Sequence, residues 1–187
     1  MTTIAALFEN TRDADKSIED LKVLGLNKDA IGIMAQQKAL ESSTTKKEDV
    51  GTRASDGAKG GGAVGGIAGL LVGIGALVIP GLGPIIAAGT FGSIVGATAV
   101  GAGVGAAAGG AVGALTGMGL SKEDAHFYAE GVKRGGILVT AKAEDTQVQQ
   151  VTDLFRRDGA VDVNTRRQEL MNSGWSQFDE SGHTPHN

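Results

Sequence analysis

A long stretch without charge constrains this chain more than any other feature. Residues 60–121 contain no Asp, Glu, Lys or Arg, although these make up 20% of the chain. Residues four apart share one face of a helix, so glycines at that spacing leave a bare groove in which a second backbone can approach. Glycine recurs at this spacing in two runs, which are Gly61, Gly65, Gly69 and Gly73, then Gly101, Gly105, Gly109, Gly113 and Gly117.

Each glycine costs a helix about 0.8–1 kcal/mol relative to alanine. Helices this rich in glycine are therefore expected only where close packing or lipid compensates. The pattern predicts a glycine-zipper, hydrophobic helical hairpin over 60–120. Its tip is predicted in "VIPGLGPII" (78–86), because four helix-breaking residues fall there, namely Pro80, Gly81, Gly83 and Pro84.

Lipid and neighbouring copies are both candidates to shelter this hairpin. The first arm, 61–79, would be about 29 Å long as a helix, close to a hydrocarbon core of about 30 Å. The second arm, 84–119, is too long for one crossing. An isolated monomer that exposed the window would carry more contiguous apolar surface than soluble monomers usually do. Burial by lipid and burial by neighbouring copies both predict that the protein is not an isolated monomer in water.

The flanking regions show the periodicity of alternating strands and helices. Residues 1–35 are interpreted as a first β-α-β half, 36–59 as a polar linker, 121–165 as a helix plus a second β-α-β half, and 166–187 as a flexible polar tail. Strands are predicted at 3–8, 30–35, 135–143 and 160–165. Helices are predicted at 12–25, at 121–134 after a capping box of Ser121 and Asp124, and at 144–159.

This order predicts an α+β protein with a ferredoxin-like fold, a four-stranded antiparallel sheet with two helices on one face. The glycine-rich helical hairpin interrupts it between the second and third strands. If both halves complete one sheet, the window must leave and return on the same side of any bilayer. Two crossings, a re-entrant hairpin or no crossing satisfy that condition.

Composition excludes several classes of function. A net charge of −4 with interspersed signs gives no basic face for nucleic acid. The absence of cysteine excludes disulfides and thiolate chemistry. The opening "MTTIAALFENTRDAD" lacks the basic and apolar segments of a secretory signal, so a cytoplasmic protein is expected. Basic residues on both sides of the window, such as Lys59 and Lys122, favour a cytoplasmic α+β domain if the hairpin enters the inner membrane.

No motif indicates catalysis, a cofactor or a metal. "GAGVGA" (101–106) fits a dinucleotide-binding turn, but such matches arise by chance among so many glycines, and no strand ending in an acid follows. His183 and His186 lie in the polar tail. His126 has Glu123 and Glu130 at helical spacing, which is most simply a solvated helix face. No nucleophile, base and acid converge, so the protein is expected not to be an enzyme.

Four stretches resemble the bacterial low-temperature-induced protein and general stress protein family. They are "GLLVGIGALVIPGLGPIIAAG" (69–89), "YAEGVKRGGILVTA" (128–141), "DLFRRDGAVDV" (153–163) and the opening at 5–35. The resemblance covers residues 3–165 and implies a stress-associated bacterial protein without known catalysis. It carries over no functional residues.

Together these observations predict a non-enzymatic, stress-associated structural protein. It would self-assemble through glycine-zipper helices, at the inner membrane or as a soluble higher-order homo-oligomer. The alternative is an oligomeric module with a ferredoxin-like domain that senses a small ligand.

Overall fold

The computed structural model combines helices and strands, and it describes residues 1–44, 67, 76–79, 82–90 and 105–178. The strands are β1 (Thr2–Phe8), β2 (Ile31–Gln36), β3 (Ala76–Ile79), β4 (Gly83–Gly89) and β5 (Ile137–Ala143). The helices are α1 (Thr11–Val23), α2 (Gln37–Thr44), α3 (Gly105–Gly117), α4 (Lys122–Lys133), α5 (Val148–Arg157) and α6 (Val163–Asn172).

The described strands form one antiparallel sheet in the order β1-β5-β2-β4-β3. β5 pairs with β1 from Thr2 opposite Ala143 to Phe8 opposite Ile137, and with β2 on its other edge. Three adjacent strands thus follow the ferredoxin-like arrangement, with β5 inserted between the two parallel-running strands of the first β-α-β unit. The predicted α+β class is confirmed.

Helices cover both faces of the sheet. α1 and α5 pack on one face, where they place Ile18, Leu21 and Phe155 among the odd-numbered residues of β5. α3, α4 and α6 pack on the opposite face around Leu7, Met34 and Leu138. The ferredoxin-like prediction placed two helices on one face, and α1 and α5 occupy it. α3, α4 and α6 cover the other face, whereas α2 adds Leu40 to the face of α1 and α5.

Local signals explain where the correctly predicted helices begin and end. The Asn10 side chain accepts a hydrogen bond from the Asp13 backbone N–H at 3.0 Å and caps α1. Ser121 caps α4 in the same way, accepting from the Asp124 N–H at 3.1 Å. Gly25 and Gly135, at φ 96° and 95°, end these two helices in the left-handed conformation that favours glycine.

The predicted strand at 160–165 is wrong. Asp162 accepts a hydrogen bond from the Thr165 N–H at 2.8 Å and so caps α6, which begins at Val163. One backbone hydrogen bond still joins this segment to the sheet, because the Val161 N–H donates to the Leu7 carbonyl of β1 at 2.8 Å. An aspartate three residues before a free backbone N–H favours a helix start over a strand.

The predicted flexible tail at 166–187 is also wrong for its described part. α6 continues to Asn172, and Leu170 and Phe178 are 4% and 2% exposed. The Lys133 ammonium lies 5.6 Å from the centre of the Phe178 ring. Residues 179–187 lie outside the described residues. Likewise, Gln37–Thr44 of the predicted linker 36–59 form α2, and 45–59 lie outside the described residues.

The predicted tip of the helical hairpin forms a β-hairpin instead. Ile79 lies opposite Gly83, and β4 then adds to the sheet edge with Gly89 opposite Gly32 of β2. The branched side chains of "ALVI" and "PII" favour strands, and the open edge of β2 offers them backbone partners. The predicted helical arms 61–79 and 84–119 are therefore wrong over 76–79 and 84–89. Most of the remaining window lies outside the described residues.

A ring of four charges joins α1 to α5. The Asp158 carboxylate is buried, and its Oδ1 accepts from the Lys16 ammonium and from Arg157 Nε at 3.2 Å. Asp20 accepts from the same two cations, at 3.1 Å from Lys16 and 2.6 Å from Arg157. The hydrogen bond from Lys16 lowers the pKa of Asp20, and the hydrogen bond to Asp158 raises the pKa of Lys16.

We predict that Gly89→Ala destabilises the protein. Gly89 has φ +63°, and an added Cβ would lie 1.8 Å from the Ile31 carbonyl oxygen. Rigid backbone cannot yield as a side-chain tip can, so we expect a loss of about 3 kcal/mol or more in the free energy of unfolding. Urea denaturation measures it.

Gly117→Ala is the matched control, since its added Cβ meets nothing within 4 Å among the described residues. It should leave stability unchanged or raise it by up to about 1 kcal/mol. Equal unfolding midpoints for the two variants would contradict the pairing of β4 with β2.

We also predict that Asp20 contributes to acid sensitivity. Its pKa is lowered from 3.8 in the folded protein, so its stabilising effect is complete above that value and is lost as the pH falls below it. Asp20→Asn should therefore lower stability at neutral pH and reduce the further loss on acidification. Urea unfolding from about pH 6 to about pH 2 measures both effects.

Asp153→Asn provides the control, because the Asp153 carboxylate is 61% exposed and 3.6 Å from Arg156. It should leave the pH dependence nearly unchanged. A pH profile of Asp20→Asn that parallels the wild-type profile would contradict the role of the charge ring.

Candidate functional site

The glycine-rich helix α3 is the described part of the predicted zipper. Gly105, Gly109, Gly113 and Gly117 all lie within it, but the helix is broken at Gly110, whose φ of 47° and ψ of −155° are not helical. The break places the first two glycines and the last two on separate helical segments. The run of glycines from Gly105 to Gly117 is therefore interrupted within α3, and the helical segment after the break is about two turns long.

The segment after the break buries one side against the rest of the molecule. Ala111, Val112 and Leu115 are buried with the side chains of α4, including Ala125 and Phe127. These apolar residues recur three and four apart, as expected for one face of a helix. They fix α3 on the layer of helices that covers Leu7 and Leu138.

Gly113 and Gly117 leave bare positions on the same segment. A Cβ added at either glycine would meet nothing within 4 Å in the described part of the chain, and Gly117 is exposed. No described backbone therefore uses the close approach that these glycines permit. The bare positions give the helix a small, uncharged surface.

Close packing by glycine occurs instead between α4 and β1. A Cβ at Gly131 would lie 2.4 Å from Leu7 Cδ2, and one at Gly136 would lie 2.9 Å from the Gly131 carbonyl oxygen. These two glycines let α4 settle on β1, where the Tyr128 hydroxyl donates to the Ala5 carbonyl at 2.9 Å. Burial raises the pKa of Tyr128. The sequence did not predict this close packing of α4 on β1, because the two glycines do not share the fourfold spacing.

The other predicted packing and tip residues are only partly described. Gly83 begins β4, and Pro84 is exposed on that strand opposite Val78. The remaining ones lie outside the described residues, namely Gly61, Gly65, Gly69, Gly73, Pro80, Gly81 and Gly101.

The carboxylates around His126 already have cationic partners. Glu123 accepts from Arg167 at 2.7 Å, and Glu130 accepts from Arg134 at 2.7 Å. Within the described ranges, no group of three His, Cys, Asp or Glu side chains could hold a metal ion. His183 and His186 lie outside those ranges, as does most of the "GAGVGA" motif.

Two arginines of α6 connect three elements on the α4 side of the sheet. Arg166 pairs with Glu9, which follows β1, and with Glu169 at 3.1 Å. Arg167 pairs with Glu123 and Asp124 of α4 at 2.7 and 2.6 Å, and its guanidinium carbon lies 5.5 Å from the centre of the Phe127 ring. Beside these pairs lies an open cavity of about 440 Å³ between α4, α6 and the end of β1.

The apolar window is also a candidate membrane segment. Over the part of the chain that the structure describes, none of the helices combines the length and the hydropathy needed to cross a bilayer.

Comparison with known proteins bears on the first part of the chain. Residues 3–78 match the family model of the heat induced stress protein YflT domain, a stretch that runs from β1 to β3. No curated protein and no solved structure matches the chain. The match supports the predicted resemblance to general stress proteins and a stress-associated role.

Proposed function

We propose that this chain is a non-enzymatic, stress-associated structural protein that assembles with copies of itself through glycine-faced helices. The match of residues 3–78 to a heat induced stress protein domain supports the association with stress. Self-assembly is proposed from one observation, the bare positions at Gly113 and Gly117 on a helix whose other side is buried. Catalysis forms no part of the proposal, because the sequence supplies no nucleophile, base and acid that converge.

The helix stability lost at the two glycines favours assembly. Two glycines lower the stability of a short helix by about 2 kcal/mol relative to alanine. Alanine would meet no described atom at either position, so the interior of the described molecule gives no reason for the missing side chains. A second helix that approaches backbone to backbone gives one, since small residues four apart allow that contact.

The break at Gly110 limits how such a contact extends. A partner helix can lie against Gly113 and Gly117 for about two turns before the axis changes direction. A short contact of this kind is weak by itself, so the assembly depends on protein concentration. We therefore propose a higher-order assembly that forms at high concentration rather than a single tight pair.

The assembly is proposed to be soluble and cytoplasmic, and the inner membrane is the alternative site. Fractionation of cells followed by a carbonate wash of the membranes separates the two. Protein that stays in washed membranes would place the glycine-rich window in lipid, whereas protein in the soluble fraction would support contact between copies.

We predict that the double variant Gly113→Leu and Gly117→Leu assembles less than the wild type. The added side chains would fill the groove, while leucine is a better helix former than glycine, so folding should be preserved or improved. Light scattering of purified protein without detergent measures assembly, and the wild type should exceed the monomer mass of 18.8 kDa. Circular dichroism and thermal unfolding report the fold.

The matched control is Gln149→Leu, which adds the same side chain to an exposed position of α5. It should assemble as the wild type does. A monomeric wild-type protein would contradict self-assembly itself. A double variant of wild-type size would show that Gly113 and Gly117 are not the contact.

A further inference from the structure

The last described segment is held on the molecule in an unusual way. Residues 160–178, here called the strap, comprise the link from α5, then α6, and then the residues that follow α6. α6 buries a single residue, Leu170, whereas α5 buries Val151, Leu154 and Phe155 with the same number of residues. Beyond α6, Phe178 is the second buried anchor at 2% exposure. α6 itself therefore buries little apolar surface, and the other apolar contacts of the strap, at Val161, Val163 and Trp175, are only partly buried.

Ion pairs supply much of the remaining attachment of the strap to β1 and α4. Arg166 reaches Glu9 beside β1, and Arg167 reaches Glu123 and Asp124 at the start of α4. The carboxylate side chains of Glu9 and Glu123 are 64% and 77% exposed. Pairs so open to water are weak and are screened by salt.

Packing beneath α6 is incomplete. The cavity of about 440 Å³ is lined by Leu7, Phe127, Gly131, Gly136, Leu170 and Ser173, among others. This cavity is open to solvent, so part of the space beneath α6 is filled by water rather than by packed side chains. Arg167 Nε is also buried without a hydrogen-bond partner among the described residues, which weakens the attachment further.

We propose that the strap is an ionic latch, which opens from β1 and α4 as ionic strength rises while the sheet stays folded. Opening uncovers Phe127, now fully buried, and frees the Leu7 carbonyl that Val161 occupies. The fold thereby converts a rise in salt into exposure of an apolar surface. This inference is independent of the proposed self-assembly, because it concerns the attachment of one segment within one chain.

The only tryptophan of the chain makes the latch measurable. Trp175 lies in the strap, half-buried against the α4 side of the core. Between about 0.1 and 1 M NaCl the screening length falls from about 10 to about 3 Å. Over that range, we expect Trp175 emission to shift to the red and its quenching by acrylamide to increase. Backbone amides of the strap should exchange roughly tenfold faster, with no change in those of β5.

The variant Arg166→Gln and Arg167→Gln should show the same open state at low salt and lose most of the salt response. Lys28→Gln is the control, since Lys28 is an exposed cation between α1 and β2. It should behave as the wild type. Sucrose at the same osmolality should not open the latch.

Two results would overturn the proposal. One is a wild-type protein in which salt changes neither Trp175 nor strap exchange, a test that needs no variant. The other is parallel acceleration of strap and β5 exchange, which would indicate opening of the whole molecule.

Discussion

The pairing of β5 with β1 and β2 is the constraint on which the rest of the molecule depends. β5 separates the two strands of the first β-α-β unit, and most of its residues are buried. The unit cannot close its sheet until the chain has passed through the whole glycine-rich window and returned. Both ends of the window therefore meet on one sheet, whatever path the window takes between them. The described parts of that path, β3 with β4 and α3, extend the sheet and cover its second face.

The elements that could be predicted from sequence are those with a complete local signal. β1, β2 and β5 are short apolar runs, and α1, α4 and α5 combine apolar periodicity with a cap or a glycine stop, as at Asn10 and Gly25. β3 and β4 were missed because an apolar, glycine-rich run fits helix and strand alike, and the edge of β2 decides between them. α6 was missed because valines at 161 and 163 suggested a strand, whereas Asp162 caps a helix.

Glycine serves two different purposes in this chain, and spacing alone did not distinguish them. Gly89, Gly131 and Gly136 are needed within the chain, because a Cβ there would overlap Ile31, Leu7 or the α4 backbone. Gly113 and Gly117 have open space among the described residues instead, and Gly110, with its positive φ, interrupts the helix that the fourfold pattern predicts. The candidate site was thus foreseeable as a bare helix face, but its length depends on one backbone angle that the sequence does not specify.

α6 is less firmly attached to the sheet than α1 and α5 are, and both proposed functional surfaces lie on its side of the sheet. On one face, α1 and α5 bury continuous apolar stripes and close over the carboxylate of Asp158, which only a fixed pair of cations can compensate there. On the other face, α3 has bare glycines and α6 stands over a cavity, held by exposed ion pairs. Elements that open or accept partners come from the less stable parts of a fold. The proposed self-contact at α3 and the proposed opening of the strap therefore both lie on the α4 side, opposite the face on which α1 and α5 pack.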